Sequence, residues 1–195
     1  MKMRKNLKKW LSFLLVALIL TVGISQPCGA AISTQTLKYD NGDVYKGKVE
    51  DYYLDIDDYE GDEELYAELV SKQGKGTYYC KNGTVIRGSW NQNYLSGKAT
   101  VTYSNGEKFT GSFSRDKRNG TGTYKFKNGD KFTGKWKNDK MNGKGTYTWK
   151  NKWYVKGTWK NGKLNGDATL KIKNYIYSIK VSNGTLKKIY SKREG

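Results

Sequence analysis

Along most of the chain, apolar and polar side chains alternate in short stretches, and glycine interrupts the alternation at fixed intervals. Lys131-Phe132-Thr133-Gly134-Lys135-Trp136-Lys137 is a representative stretch. A period of two sends successive side chains to opposite faces of a strand. The pattern also repeats: Asn82-Gly83, Asn105-Gly106 and Asn128-Gly129 lie 23 residues apart, and Asn151-Lys152 continues the series. Counted from each Asn, offset 4 holds Ile86, Phe109, Phe132 and Val155, and offset 6 holds Gly88, Gly111, Gly134 and Gly157. Offset 8 holds Trp90, Phe113, Trp136 and Trp159; offset 15 holds Gly97, Gly120, Gly143 and Gly166. Offset 17 is Ala99, Gly122, Gly145 and Ala168, and offset 19 is Val101, Tyr124, Tyr147 and Leu170. An earlier unit opens at Asn41-Gly42 with Tyr45, Gly47 and Val49 in place, but its Gly74-x-Gly76-x-Tyr78 arrives 18 residues late. A segment inserted between Glu50 and Gln73 accounts for the delay.

Asn-Gly between alternating stretches predicts a tight type I′ hairpin turn, which needs positive φ at both central residues. The dipeptide marks the start of each unit and often offsets 14–15 as well, at Asn119-Gly120, Asn142-Gly143 and Asn165-Gly166. Each unit then reads as two short strands, and the chain as an antiparallel meander of about ten to twelve. Alternation sorts the faces. Phe132, Trp136, Tyr147 and Trp149 share one face, with glycines between them that let rings lie over bare backbone. Lys131, Thr133, Lys135, Thr146, Thr148 and Lys150 share the other, as do Lys156, Thr158, Lys160, Thr169, Lys171 and Lys173 in the next unit. The expected fold is all-β: an elongated antiparallel meander of β-hairpins in a single twisted sheet, interrupted by an acidic insertion with room for one short helix.

The ends read differently. Lys2, Arg4, Lys5, Lys8 and Lys9 precede an apolar run from Trp10 to Ile24 and then Cys28-Gly29-Ala30-Ala31. A cationic start, an apolar stretch and a small-residue end predict a secretory signal peptide over 1–31, cleaved near Ala30 or Ala31; an uncleaved signal anchor is the rival. The repeat array is expected over 32–173, with the insertion at 50–73. Residues 174–195 read as degenerate capping strands, of the kind repeat arrays need at their ends.

Composition narrows the function. The chain has 36 Lys+Arg against 18 Asp+Glu and no histidine, which removes Ser-His-Asp and Cys-His nucleophile pairs and imidazole metal sites. No enzyme, cofactor or metal requirement is expected. After removal of the signal only Cys80 remains, in a slot filled elsewhere by Tyr103, Phe126, Trp149 and Ile172, so it reads as a small packed residue.

The acids are uneven: ten of the 18 fall within residues 50–68, which contain no cation. A solvated loop softening the self-repulsion of a basic sheet is one reading. A fold-back with a short helix over 62–72, laying Leu65, Leu69 and Val70 on the aromatic face, is a second. A Ca2+ site on Asp55-x-Asp57-Asp58-x-Glu60-Gly61 is the weakest, because Tyr59 takes a ligand position and Glu60 the glycine position of a calcium loop.

The unit Phe109-x-Gly111-x-Phe113…Gly120-x-Gly122-x-Tyr124-x-Phe126-x-Asn128-Gly129 resembles the MORN (membrane occupation and recognition nexus) repeat. So does the next, Phe132-x-Gly134-x-Trp136…Gly143-x-Gly145-x-Tyr147. The likeness spans about residues 39–172. Ile86 and Val155 depart from the usual Tyr, Ala99 and Ala168 from glycine, and Lys152 from the turn glycine. It implies an elongated hairpin array used as a binding or scaffolding module, with lipid headgroups, docked proteins and end-to-end dimers among the family's partners, and no catalysis by the repeats. With the signal, the Lys/Asn-rich usage and the short chain, a secreted or cell-surface bacterial protein is expected.

Two faces are candidate sites. The basic one, through Lys131, Lys135, Lys150, Lys156, Lys160, Lys171 and Lys173, suits an anionic membrane or cell-wall polymer, since each lysine near an anionic surface adds about 1 kcal/mol. The aromatic one, through Trp90, Phe109, Phe113, Phe132, Trp136, Tyr147, Trp149 and Trp159, suits a protein segment, a glycan or a second copy of the chain. No specific nucleic acid partner is expected of a secreted protein.

Overall fold

The computed structural model describes residues 31–51 and 70–195. In chain order the strands are β1 (Ala31–Lys38), β2 (Val44–Asp51), β3 (Ser71–Tyr79), β4 (Val85–Asn91), β5 (Tyr94–Thr102), β6 (Lys108–Ser114) and β7 (Lys117–Lys125). They continue as β8 (Lys131–Lys137), β9 (Lys140–Thr148), β10 (Tyr154–Lys160), β11 (Lys163–Ile172), β12 (Tyr175–Ser182) and β13 (Thr185–Glu194). All 13 lie in one sheet in the order of the sequence. The all-β meander is as expected, with more strands than ten to twelve: β1 precedes the first unit, and the degenerate tail supplies both β12 and β13. Of the helix considered over 62–72, Ser71 and Lys72 belong to β3, and the described residues contain no helix. Residues 1–30 of the signal segment and the candidate calcium ligands lie outside the described residues, and Ala31 opens β1.

The hairpin connections differ from the Asn-Gly expectation. At the unit starts only the glycine takes positive φ: Gly83 has φ 87° and Gly106 has φ 88°, while Asn82 and Asn105 stay out of that region. The turn closes through Gly83 N donating to the Cys80 carbonyl at 2.9 Å, and Asn82 Oδ1 accepts from Thr84 N at 2.8 Å. Asparagine serves here as an acceptor for the backbone two residues on, and glycine as the left-handed end of a longer turn. The true two-residue turns fall at offsets 10–11, where both residues have positive φ: Gln92 and Asn93 at 47° and 69°, Arg115 and Asp116 at 46° and 64°. Asn138-Asp139 and Asn161-Gly162 repeat the arrangement. Asn119-Gly120, Asn142-Gly143 and Asn165-Gly166 are not turns. Their glycines, at φ 105°, 105° and 99°, are bulges inside β7, β9 and β11, where the pairing register shifts. Each bulge sets three residues of the longer strand against one of the shorter, two extra, and increases the local twist.

Packing between units follows one contact. A Cβ on Gly122 or Gly145 would run into the ring of Phe109 or Phe132, and one on Gly76 into the ring of Tyr45. Each of these three rings is fully buried. The next unit's tryptophan then meets the ring edge-on: Tyr45–Trp90, Phe109–Trp136 and Phe132–Trp159 have centroids 5.6, 5.3 and 5.1 Å apart, near perpendicular. Its indole N–H donates to the carbonyl of the covered glycine, Gly76, Gly122 or Gly145.

The departures from the repeat are therefore correlated, and the units fall into two kinds. Where offset 4 is aromatic, offset 17 is glycine, offset 19 is tyrosine and the following unit carries tryptophan. Where it is aliphatic, as at Ile86 and Val155, offset 17 is Ala99 or Ala168, offset 19 is Val101 or Leu170, and Leu95 or Leu164 fills the remaining space. A Cβ added at Gly88 or Gly157 would meet those same alanines and leucines. Volume is conserved within each unit, as close packing demands.

The two kinds should be separable by mutation. Gly145→Ala alone should cost about 1–3 kcal/mol by overpacking against Phe132. Combined with Phe132→Val, which copies the Val155–Ala168 unit, the loss in urea unfolding should fall short of the sum of the single losses by at least about 1 kcal/mol. Additive losses would contradict the volume argument.

Candidate functional site

The aromatic face is closed by its own side chains. Trp90, Phe109, Phe113, Phe132, Trp136 and Trp159 are buried, and Tyr147 and Trp149 half-buried. Boxes formed by the rings are filled by the residue opposite each offset-8 side chain. In the first unit Lys72 Nζ sits 5.3–5.9 Å from the centroids of Tyr39, Tyr45, Tyr78 and Trp90 and donates to Tyr39 Oη at 3.2 Å. In the third, the Arg118 guanidinium lies 4.6 Å from the Trp136 centroid, over Phe109 and Tyr124 too, and its Nε donates to Asp139 at 3.0 Å. Met141 takes the equivalent position in the fourth. Burial lowers the Lys72 pKa, and the ring faces offset part of the cost of holding its charge there.

The rims of the sheet are tied by carboxylates that the repeat pattern did not single out. Asp130 accepts from Tyr147 Oη at 2.6 Å, from the Lys150 backbone N at 2.8 Å and from Asn128 at 2.9 Å. Asp43 does the same with Tyr78, Lys81 and Asn41, and Glu107 with Tyr124, Lys127 and Asn105. Each joins one unit's opening turn to the next unit's, and each occurs in an aromatic unit, where a tyrosine supplies the hydroxyl. The signal was present at offset 2, where Asp43, Glu107 and Asp130 contrast with Thr84 and Trp153. At the opposite rim, Asp116 Oδ1 accepts from Leu95 N at 2.7 Å and Asp139 Oδ1 from Arg118 N at 3.0 Å. Four of the few acids outside the insertion are thus consumed in holding neighbouring hairpins together, as is Asp43.

The polar face is different. Strand pairing aligns Thr100, Thr110, Thr123, Thr133 and Thr146 in one row across β5 to β9, with Arg87 next in line on β4 and Lys156 on β10. Hydroxyls pair within it, Thr100 with Thr110 at 3.2 Å and Thr123 with Thr133 at 3.0 Å. Two residues away along the strands, a second row runs Val85, Thr102, Lys108, Lys125, Lys131, Thr148 and Tyr154. On the other side a third runs Ser89, Lys98, Ser112, Thr121, Lys135, Lys144 and Thr158, stepping across the bulges. This field of 21 positions holds eight cations and no carboxylate. Among the described residues none of the eight is in a salt bridge.

Of the lysines expected on this face, Lys131, Lys135 and Lys156 lie within the field, and Lys171 continues the second row opposite Tyr154. Lys160 stands at the strand end. Lys150 and Lys173 fall in hairpin turns, and Lys150 lies against Gly129. The field also holds Arg87, Lys108 and Lys125, whose offsets match those of Lys156, Lys131 and Lys171, and Lys98 and Lys144, which share offset 16 and join it only through the bulged register. Cys80 is free and half-buried, and burial raises its pKa.

The rim carboxylates make stability depend on pH. Hydrogen bonding from Tyr147 lowers the Asp130 pKa, the bond from Lys81 N lowers that of Asp43, and those from Asn105 and Tyr124 lower that of Glu107. Burial, then the bond to Asp130, pushes Tyr147 up to about 12. A depressed carboxyl pKa contributes stability above the unfolded value and loses it as pH falls through the folded one. Thermal melts should therefore show a steep loss below about pH 4, near the unfolded carboxyl range. Asp130→Asn should melt lower at neutral pH and show a shallower acid limb; an unchanged limb would remove Asp130 from this role.

Comparison with known proteins came to the same repeat. The family model described as MORN repeat matches residues 72–85, 87–108, 109–131, 132–154 and 156–171. No curated protein matches the chain. Among solved structures, the TCP domain of SAS-4 (dCPAP) from Drosophila melanogaster, in complex with a proline-rich motif of Ana2 (dSTIL), is similar at 15% identity and a TM-score of 0.37. That match covers 77% of this chain and 90% of the other. With the family model falling on about half of the chain, and on the strands and turns just described, this protein belongs to the MORN repeat family.

Proposed function

We propose that this MORN repeat protein is a secreted or cell-surface, extracytoplasmic binding module without catalytic activity, exported by the signal segment over 1–31. Its Lys/Thr face engages an anionic surface, either phospholipid headgroups or an anionic cell-wall polymer. The observation that carries this reading is the field of eight cations without a carboxylate, none of them in a salt bridge among the described residues. Five acids of the array are bound into the rims, and Asp167, on β11 just beyond the field, is the carboxylate that lies beside Lys144 and Lys156. Cations aligned this way attract polyanions at low ionic strength and are screened as salt rises. Support also comes from the opposite face, where rings bury one another and leave less surface for a ligand than the sequence pattern implied.

Co-sedimentation of the full chain with anionic and neutral vesicles, at low and physiological salt, tests the reading. Pelleting should be greater with anionic vesicles, and the excess should fall with salt. Each lysine neutralised among Lys125, Lys131, Lys135 and Lys156, by substitution with Gln, should weaken the anionic excess by about 1 kcal/mol, about fivefold. Comparison with the variants separates charge-dependent binding from any contribution of the apolar N-terminal segment. Equal, salt-insensitive pelleting on both vesicle types and no effect of the variants would overturn the proposal.

A further inference from the structure

We infer that the channel from Arg87 to Lys156 seats one strand of a linear polyol phosphate polymer, laid across β4 to β10 at right angles to the strands. This rests on the reading that the Lys/Thr face takes an anionic surface, and it names the class of that ligand. Three observations carry it.

The first is the shape. The middle row forms the floor of a hollow of about 500 Å³ lined by Arg87, Lys98 and the floor threonines Thr100, Thr110, Thr123 and Thr133. A second hollow of about 730 Å³ follows over Lys144, Thr146, Lys156 and Thr158, and its far side, with Asp167 and Tyr190, lies beyond the end of the channel at β10. On β8 the flanking lysines Lys131 and Lys135 are four residues apart, about 14 Å at strand rise, which admits a single polymer chain between two cationic banks. A flat bilayer surface would meet the banks and leave the floor untouched.

The second is the chemistry of the floor. Five threonines in line offer a hydroxyl about every 4.8 Å across the sheet. Each can donate and accept, and the pairs Thr100–Thr110 and Thr123–Thr133 use only part of that capacity. Such a row matches a chain that alternates phosphate oxygens with hydroxyl or ether oxygens. Phosphates reach the lysines on the banks, and the polyol oxygens reach the threonines. Arg87 and Lys156 close the row at its two ends, about 29 Å apart at inter-strand spacing.

The third is the distribution of rings. From β5 to β9 the floor and both banks contain no aromatic side chain, because those rings are committed to the other face. Single-stranded nucleic acids gain much of their affinity by stacking bases on aromatic platforms. Over these five strands the channel offers phosphates and polyols a seat and gives bases nothing to stack on, the nearest ring of the rows being Tyr154 on β10.

The test is fluorescence titration of the full chain with poly(glycerol phosphate) of 2 to 20 repeats, with oligo-dT of equal charge, inorganic phosphate and anionic vesicles as parallel probes. Affinity should climb with polymer length and level off once the polymer spans the channel, exceed that for oligo-dT, and be negligible for inorganic phosphate. The logarithmic salt slope should be about −0.7 per phosphate contacted, as for flexible phosphodiesters. Thr123→Val with Thr133→Val should weaken polymer binding about tenfold and leave vesicle pelleting unchanged, since no charge is altered. Polymer binding that ignores length, or that the valine variant leaves intact, overturns the inference. So does equal affinity for oligo-dT, or charge-dependent vesicle binding without polymer binding. In that last case the anionic-surface reading survives; if neither vesicles nor polymer bind in a charge-dependent way, both fall.

Discussion

A ring lying on a glycine that lacks a Cβ is the contact on which this sheet depends. A single layer of strands has no second layer to bury its apolar face, and an exposed row of aromatics would be costly to keep monomeric. Here each aromatic unit lays a ring over the backbone of its own second strand, and the following tryptophan closes over the ring and hydrogen-bonds the covered carbonyl. Among the described residues the core is thereby built within and between adjacent units. This is the nearest-neighbour logic of repeat proteins expressed through one cross-strand contact. Where the ring is lost, as at Ile86 and Val155, alanine and leucine return the missing volume.

That solution divides the labour between the two faces. Aromatic surface is largely consumed in closing the array, down to Lys72 and Arg118, whose charges are held against rings and whose stems fill the boxes. Carboxylates outside the insertion are mostly consumed as well, tying successive turns along both rims through tyrosine hydroxyls and backbone N–H groups. From β4 to β10 the polar face retains mainly hydroxyls and cations, and strand register arranges these into rows. A charge distribution that looked diffuse along the chain becomes a lattice across it.

Turn chemistry shows where local reading misleads. Asn-Gly is a strong hairpin signal when it is the whole connection, yet here it occurs in two other roles. At the unit starts it ends a longer turn, with the asparagine as acceptor; at Asn119, Asn142 and Asn165 it lies within a strand and the glycine makes a bulge. The true two-residue turns include Gln92-Asn93 and Arg115-Asp116, which carry no glycine. Their positive φ values are stabilised from outside: Asn93 and Asp116 cap the strand starts of the preceding hairpin, at Lys72 N and Leu95 N. Local propensity was overridden by a contact 21 residues away.

The sequence alone determined the antiparallel meander, the placement of rings over glycines and the division into an aromatic and a Lys/Thr face. These follow from period-2 alternation and a 23-residue repeat, which are properties of neighbours along the chain. Tertiary structure decided what pairing register alone can decide. It moved Lys150 and Lys173 from the face into turns, brought Lys98, Lys108, Lys125 and Lys144 into the field, and lined five threonines up between Arg87 and Lys156. The physical reason is the bulge. Two extra residues in the second strand of each unit displace the later partners by two positions and keep each side chain on its face, so which side chains become neighbours across the sheet is fixed only when the strands pair.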